Sequence, residues 1–283
     1  GFSSRARWQD AARARQVQQD VSDLAGLVDL KSALLLARVP VEVDVRSSSI
    51  GIDRATARDL LGLQASQVGS IADVTSALRR LPERDQPFEA EQVEALAAQA
   101  GRGSSAAVLE RFDELDALAD RVWERQLLDL RYEIVRLGDP RLASQLTDLE
   151  NAAVVGTMTA ALITELADYW FPVEASDSRE AARVAIGISD ARLDRSLAAL
   201  ASSPDDAIAR AAADLSTARA GTFGQAVDAA VDGPTGEAPT VEVAQAAATF
   251  TSSFDLFAPI VEIVESLSTG LEASADASAN EST

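Results

Sequence analysis

PRLASQLTDLENAAVVGTMTAALITELADYW, the stretch from Pro140 to Trp170, decides the fold class. Leu142, Leu146, Leu149, Ala153, Gly156, Ala160, Ile163, Ala167 and Trp170 follow one another at gaps of four and three. That spacing keeps one face of an α-helix apolar for four heptads, roughly 40 Å at 1.5 Å per residue. Asp139 stands where an N-cap belongs, Pro140 suits the first turn, and Phe171-Pro172 ends the run. The small side chains at 153, 156 and 160 let a neighbouring helix come close. A helix this long and this regular needs other helices beside it, and the rest of the chain supplies them.

Upstream, a first helix runs from Arg5 to about Val39, with Pro40 as its stop and an irregular link from Val39 to Ile52. Asp53 caps a short helix to Leu61, and further helices cover Ala65–Leu81, Glu89–Ala100 and the stretch from the Gly101–Ser105 turn to Leu137, which Gly138 terminates. Downstream, Ser176 or Asp177 opens a helix to about Ser202, Pro204 opens one to Val231, and Gly233–Pro239 is a loop. The last helix runs from Thr240 to about Gly270 with a kink at Pro259, and its Phe250, Phe254 and Phe257 read as core. Pro40-Val-Glu42 recurs as Pro172-Val-Glu174, and Ile50-Gly-Ile-Asp53 resembles Ile186-Gly-Ile-Ser-Asp190, in the same order in each half. The expected architecture is therefore all-α: two abutting up-and-down helical bundles, about eight helices in all, with long first, middle and last members. Residues 1–138 form the N-terminal bundle half, 139–272 the C-terminal half, and 273–283 a disordered acidic tail.

Composition agrees. Of 283 residues 47% are apolar and only 5% aromatic, with alanine and other strong helix formers dominant. The net charge of −20 makes nucleic acid and anionic membrane surfaces poor partners. Cysteine and histidine are both absent, which excludes disulfides, thiolate chemistry, the common catalytic triads and the usual zinc, copper, haem and iron–sulfur sites. No glycine-rich phosphate loop or nucleophile elbow occurs. The reading is a non-enzyme without cofactor or structural metal. No run reaches the ~20 apolar residues of a membrane span, and Gly1-Phe2-Ser3-Ser4 leads into arginines without the apolar core of a signal peptide. The chain reads as a segment of a longer polypeptide.

Candidate binding groups lie on the first helix. Val17, Val21, Leu24, Val28, Lys31, Leu35 and Arg38 keep the four-three rhythm, so two cations fall on a helix seam, two turns and about 10 Å apart. Lys31 is the only lysine in the chain. Two readings stand. Either the true seam is the neighbouring stripe Leu27, Leu30, Leu34, with the cations snorkelling at its flank, or the cations meet a small anion, with Arg46 folding back to complete the pocket. Carboxylate clusters such as Asp113, Glu114 and Asp116 read as a solvated helix face.

The run Leu34-Leu-Leu-Ala-Arg38 at the end of a long helix, followed by a link and by Ile71-Ala-Asp73, resembles the nitrate- and nitrite-sensing domain of bacterial receptors. Ala37 stands in place of that motif's glutamate and Val39-Pro40 in place of its glycine. The resemblance implies a double helical bundle held outside the membrane between two anchoring helices and coupled to a cytoplasmic output module. It also implies Arg38 as the arginine that contacts the anion. The functional expectation is thus an extracytoplasmic sensing domain of a membrane-anchored receptor. Its ligand is a small anion bound between helices by Arg38, Lys31 and Arg46, and it acts as a homodimer whose only link to the membrane is through flanking anchors. The alternative is a structural or adaptor bundle that dimerises without a ligand.

Overall fold

The computed structural model describes residues 2–61, 70–103, 105–173, 177–234 and 240–281. Among these the secondary structure is all helical: α1 (Phe2–Ser49), α2 (Arg54–Leu60), α3 (Ile71–Arg80), a 3-10 turn (Glu83–Asp85), α4 (Ala90–Ala100), α5 (Ala106–Leu137), α6 (Pro140–Trp170), α7 (Asp177–Ala201), α8 (Asp206–Arg219), α9 (Thr222–Asp232), α10 (Val243–Phe254) and α11 (Phe257–Glu281). Local chemistry sets many of these limits. Asp53 accepts from the Thr56 amide at 3.0 Å to open α2, and Asp139 accepts from the Arg141 amide at 2.8 Å to open α6. Gly138, at φ +68°, supplies the left-handed residue that ends α5.

The long helices share one axis. α5 runs antiparallel to α1, because Lys31 pairs with Asp120 while Arg38, further along α1, pairs with Asp113, earlier on α5. α6 runs parallel to α1, so that Arg46 near the end of α1 reaches Asp168 near the end of α6. α11 lies between α1 and α6, against both and antiparallel to both. Ser278 donates to Asp139 at 2.9 Å, and a Cβ on Gly270 would stand 3.3 Å from Gln145 Nε2. At the other end of α11, a Cβ on Gly156 would stand 3.3 Å from Ile260 Cγ2, so the small-residue stripe of α6 does admit a close neighbour. α3 and α4 complete the first half around α1 and α5, while α7 and α9 pack against α6 and α8 packs against α7 and α11. The two halves meet across α11, whose Leu267, Leu271 and Ala275 belong to one core continuous with Leu24, Leu27 and Leu30 of α1.

Several expected boundaries are corrected. α1 does not stop at Pro40 but continues to Ser49, so the segment read as an irregular link is helix. Pro40 costs one backbone bond, but Ala37, Val41 and Val45 on either side of it are buried. The expected tail is helical from 273 to 281: Ala275 is fully buried and Ala279 nearly so, because the apolar stripe of α11 continues at i+4 through alanines. The last helix is not kinked at Pro259. It is broken at Asp255-Leu256, and Pro259 falls in the first turn of α11, where an amide has no helical partner to lose. The helix expected from Pro204 to Val231 divides at Ala220-Gly221. α3 covers Ile71–Arg80 of the helix expected from Ala65, and residues 65–69 lie outside the described ones, as do Ser176 and residues 235–239. The two related sequence stretches take unlike conformations. Pro40 is mid-helix whereas Pro172 follows α6, and Ile50–Asp53 is a turn whereas Ile186–Asp190 is inside α7.

One stretch among the described residues, Val243–Asn280, is long enough for a membrane span and contains a window apolar enough for one. It is two helices here, and its Leu256, Ile260, Ile263, Val264, Leu267 and Leu271 are buried in the core.

Candidate functional site

On α1 the buried stripe is Val17, Val21, Leu24, Leu27, Leu30, Leu34, Ala37, Val41 and Val45, so the core follows the second of the two candidate stripes. Lys31 and Arg38 stand at its flank, and α5 meets them. Lys31 pairs with Asp120 and Arg38 with Asp113. The spacing is the reason: 31 and 38 are a heptad apart on one helix, 113 and 120 a heptad apart on its antiparallel neighbour. Asp116 lies between the two pairs. Burial, with Asp120 and Asp113 nearby, raises its carboxyl above the ordinary range against the opposing pull of Lys31 and Arg38. Of the α5 carboxylates read as a solvated face, Asp113 is the partner of Arg38, while Glu114 pairs with Arg111 of its own helix; Asp120, the partner of Lys31, is not among them. The matched heptads were the signal, visible in sequence once α5 and α1 are assumed to be neighbours.

Further along α1, Glu42 holds two arginines. Arg38 Nε donates to Glu42 Oε1 at 2.8 Å and Arg46 Nε donates to Glu42 Oε2 at 2.9 Å, one on each side of the Pro40 turn. Arg46 is 8% exposed, and its remaining donors reach Asp168 at 2.9 Å and the Phe171 carbonyl at 2.8 Å, tying α1 to the end of α6. Burial works against the charge on Arg38, but Glu42 and Asp113 outweigh it and raise its pKa further.

Arg38, Glu42 and Arg46 also form one wall of a groove lined by α1, α2, α6 and α10. Its other walls are apolar, with Val39 and Val43 from α1, Ile163 from α6, and Phe171, Phe250 and Phe254 prominent among them. No residue of α11 lines it. α11 occupies the space between α1 and α6 only as far as the Gly156–Ile260 contact, and beyond that point α6 presents Ile163, Thr164 and Ala167 to the groove. The break at Asp255-Leu256 therefore makes the groove. Phe250 and Phe254 are half-buried groove residues rather than core. Trp170 stacks edge-on against Phe250, ring centroids 5.6 Å apart, and backs the aromatic end. Asp44, buried on α1, accepts from Arg58 Nη2 at 2.8 Å and Nε at 3.2 Å, which fixes α2 over the groove's far end. The Thr251 hydroxyl of α10 donates to the Ala247 carbonyl of its own helix at 2.9 Å and stands 3.4 Å from the Leu61 carbonyl.

Of the three residues expected to bind an anion, Arg38 and Arg46 line this groove and Lys31 lies outside it, on Asp120. Each cation is engaged by the chain's own carboxylates. The groove itself was not legible in the sequence. Among the described residues no cluster of carboxylates is arranged to hold a metal ion.

No protein family matches the chain, and no curated protein or solved structure matches it either.

Proposed function

We propose that this chain is the sensing domain of a membrane-anchored signal-transduction receptor, held on the extracytoplasmic face, and that its ligand enters the groove between α1, α2, α6 and α10. One observation carries the reading. α1 lines the groove with Leu35 to Ile50, then runs unbroken to the opposite end of the bundle, about 70 Å for its 48 residues. At that end α11 finishes beside it, fixed there by Ser278 on Asp139. A ligand that spreads or closes α1 and α6 around the groove displaces α1 relative to α11, and both helices deliver that displacement at one end. The resemblance of Leu34–Arg38 to the nitrate- and nitrite-sensing motif points the same way, with Arg38 on the groove wall.

The absence of cysteine makes the test direct. Spin labels on Arg15→Cys and Asp276→Cys, both exposed at the shared end, report the α1–α11 separation. The separation is expected to shift on saturation with a ligand found by thermal-shift screening of nitrate, nitrite, other small anions and neutral apolar compounds. No stabilisation by any of them, or binding with an unchanged separation, sinks the sensing role.

A second reading, a dimerising adaptor, is favoured by a separate feature. Leu128, Tyr132 and Val135 on α5 follow one another at i, i+4 and i+7 and are 60–70% exposed. Sedimentation velocity of Tyr132→Glu against the unaltered protein distinguishes it: a dimer that this substitution dissociates, in a protein that binds no ligand, supports the adaptor.

A further inference from the structure

We infer that the groove takes an uncharged, hydrocarbon-rich molecule rather than a small anion. The inference rests on the sensing proposal only in taking the groove as the ligand site.

Charge is the first argument. The two arginines on the wall are held by Glu42, Asp113 and Asp168, three carboxylates for two guanidinium groups. Both side chains are largely buried, at 15% and 9% exposure. An incoming anion competes with carboxylates already in place, and displacing Glu42, itself 16% exposed, leaves a largely buried carboxylate without its partner, which opposes binding. A neutral ligand disturbs none of these contacts.

The lining is the second argument. Among the described residues, the polar side chains on the groove apart from Arg38, Glu42 and Arg46 are Ser47 and Thr164. Both hydroxyls already donate within their own helices, to the Asp44 carbonyl at 3.1 Å and the Ala160 carbonyl at 3.4 Å. They keep acceptor capacity and no free donor for an anion. Meanwhile Val39, Val43, Ile163, Phe171, Phe250 and Phe254 remain half-exposed around the space. Covering them removes apolar surface from water, the dominant favourable term for a ligand of this kind. Walls from four helices surround the space, so a ligand seated there touches apolar side chains on several sides.

The test is titration of the protein with N-phenyl-1-naphthylamine, a neutral probe that fluoresces in apolar surroundings. Saturable, one-to-one enhancement is expected, displaced by a neutral long-chain alcohol and not by nitrate. Val43→Phe, which fills the groove from α1, is expected to weaken probe binding about tenfold. Leu60→Ser at the exposed rim gives a milder loss without threatening the fold, and Val184→Ser, exposed on α7 away from the groove, gives none. Trp170 emission is expected to fall as the probe binds beside Phe250, and Trp170→Phe removes that transfer. Unsaturable uptake, or binding indifferent to both Val43→Phe and Leu60→Ser, overturns the inference. So does stabilisation by nitrate without probe uptake, which leaves the sensing role standing. Saturable uptake with an unchanged label separation supports the ligand class and removes the sensing role.

Discussion

The two halves of α1 share one buried stripe, Val17 to Val45, and differ in what covers the face beside it. From Val17 to Leu30 the stripe side chains are at most 1% exposed, enclosed with α5 on one flank and α11 on the other. From Val39 onward the same helix presents Val39 and Val43 to a groove, because α11 has stopped and α10 covers the space less completely. The charges differ in the same way. Lys31 and Arg38 meet α5 in a matched pair of heptads, whereas Arg46 is drawn inward to Glu42, Asp168 and a backbone carbonyl. Periodicity sets which face of a helix is apolar. The extent of the neighbouring helix sets whether the flank of that face is covered or left open as a site.

The sharpest way to break this contrast is truncation on each side. Leu27→Ala, fully buried, is expected to cost about 3 kcal/mol in urea unfolding, and Val43→Ala on the groove less than about 1 kcal/mol. Equal losses would mean that the groove half is as tightly packed as the rest. Arg46→Met tests the inward node. Removing a buried guanidinium strands part of the charge on Glu42, and a loss of about 2 kcal/mol is expected, larger than for either exposed pair. The Lys31–Asp120 pair sharpens the other side. A double-mutant cycle with Lys31→Met and Asp120→Asn should return a coupling below about 1 kcal/mol that shrinks with salt, since Asp120 is 42% exposed.

The smallest effect concerns Asp116. Its native carboxyl holds a proton more tightly than in the unfolded chain, so the charged form is disfavoured by folding. At pH above the raised native value, where Asp116 is ionised in both states, Asp116→Asn is expected to stabilise the protein slightly. The gain should fade as pH drops through the raised native value toward the ordinary aspartate range, where the wild-type group takes up its proton in the folded state. A gain that grew on acidification would reverse the sign assigned to this group.

The sequence by itself determined the fold class, the long helices and many of their ends. Asp53, Gly138, Asp139 and Pro140 act on their own neighbours, and a four-three rhythm is a property of one helix alone. It left two stripes open on α1, and packing chose the one through Leu27, Leu30 and Leu34. It mistook Pro40 for a stop and residues 273–281 for a tail, because a proline's cost and an alanine stripe's gain are settled by what packs beside them. Only the tertiary structure decided that Arg38 and Arg46 share a wall with Phe250, far along the chain, and that α5 answers the seam cations. The groove belongs to the same class of fact. It is space left by a helix that ends early, and no single helix's sequence records where its neighbour will stop.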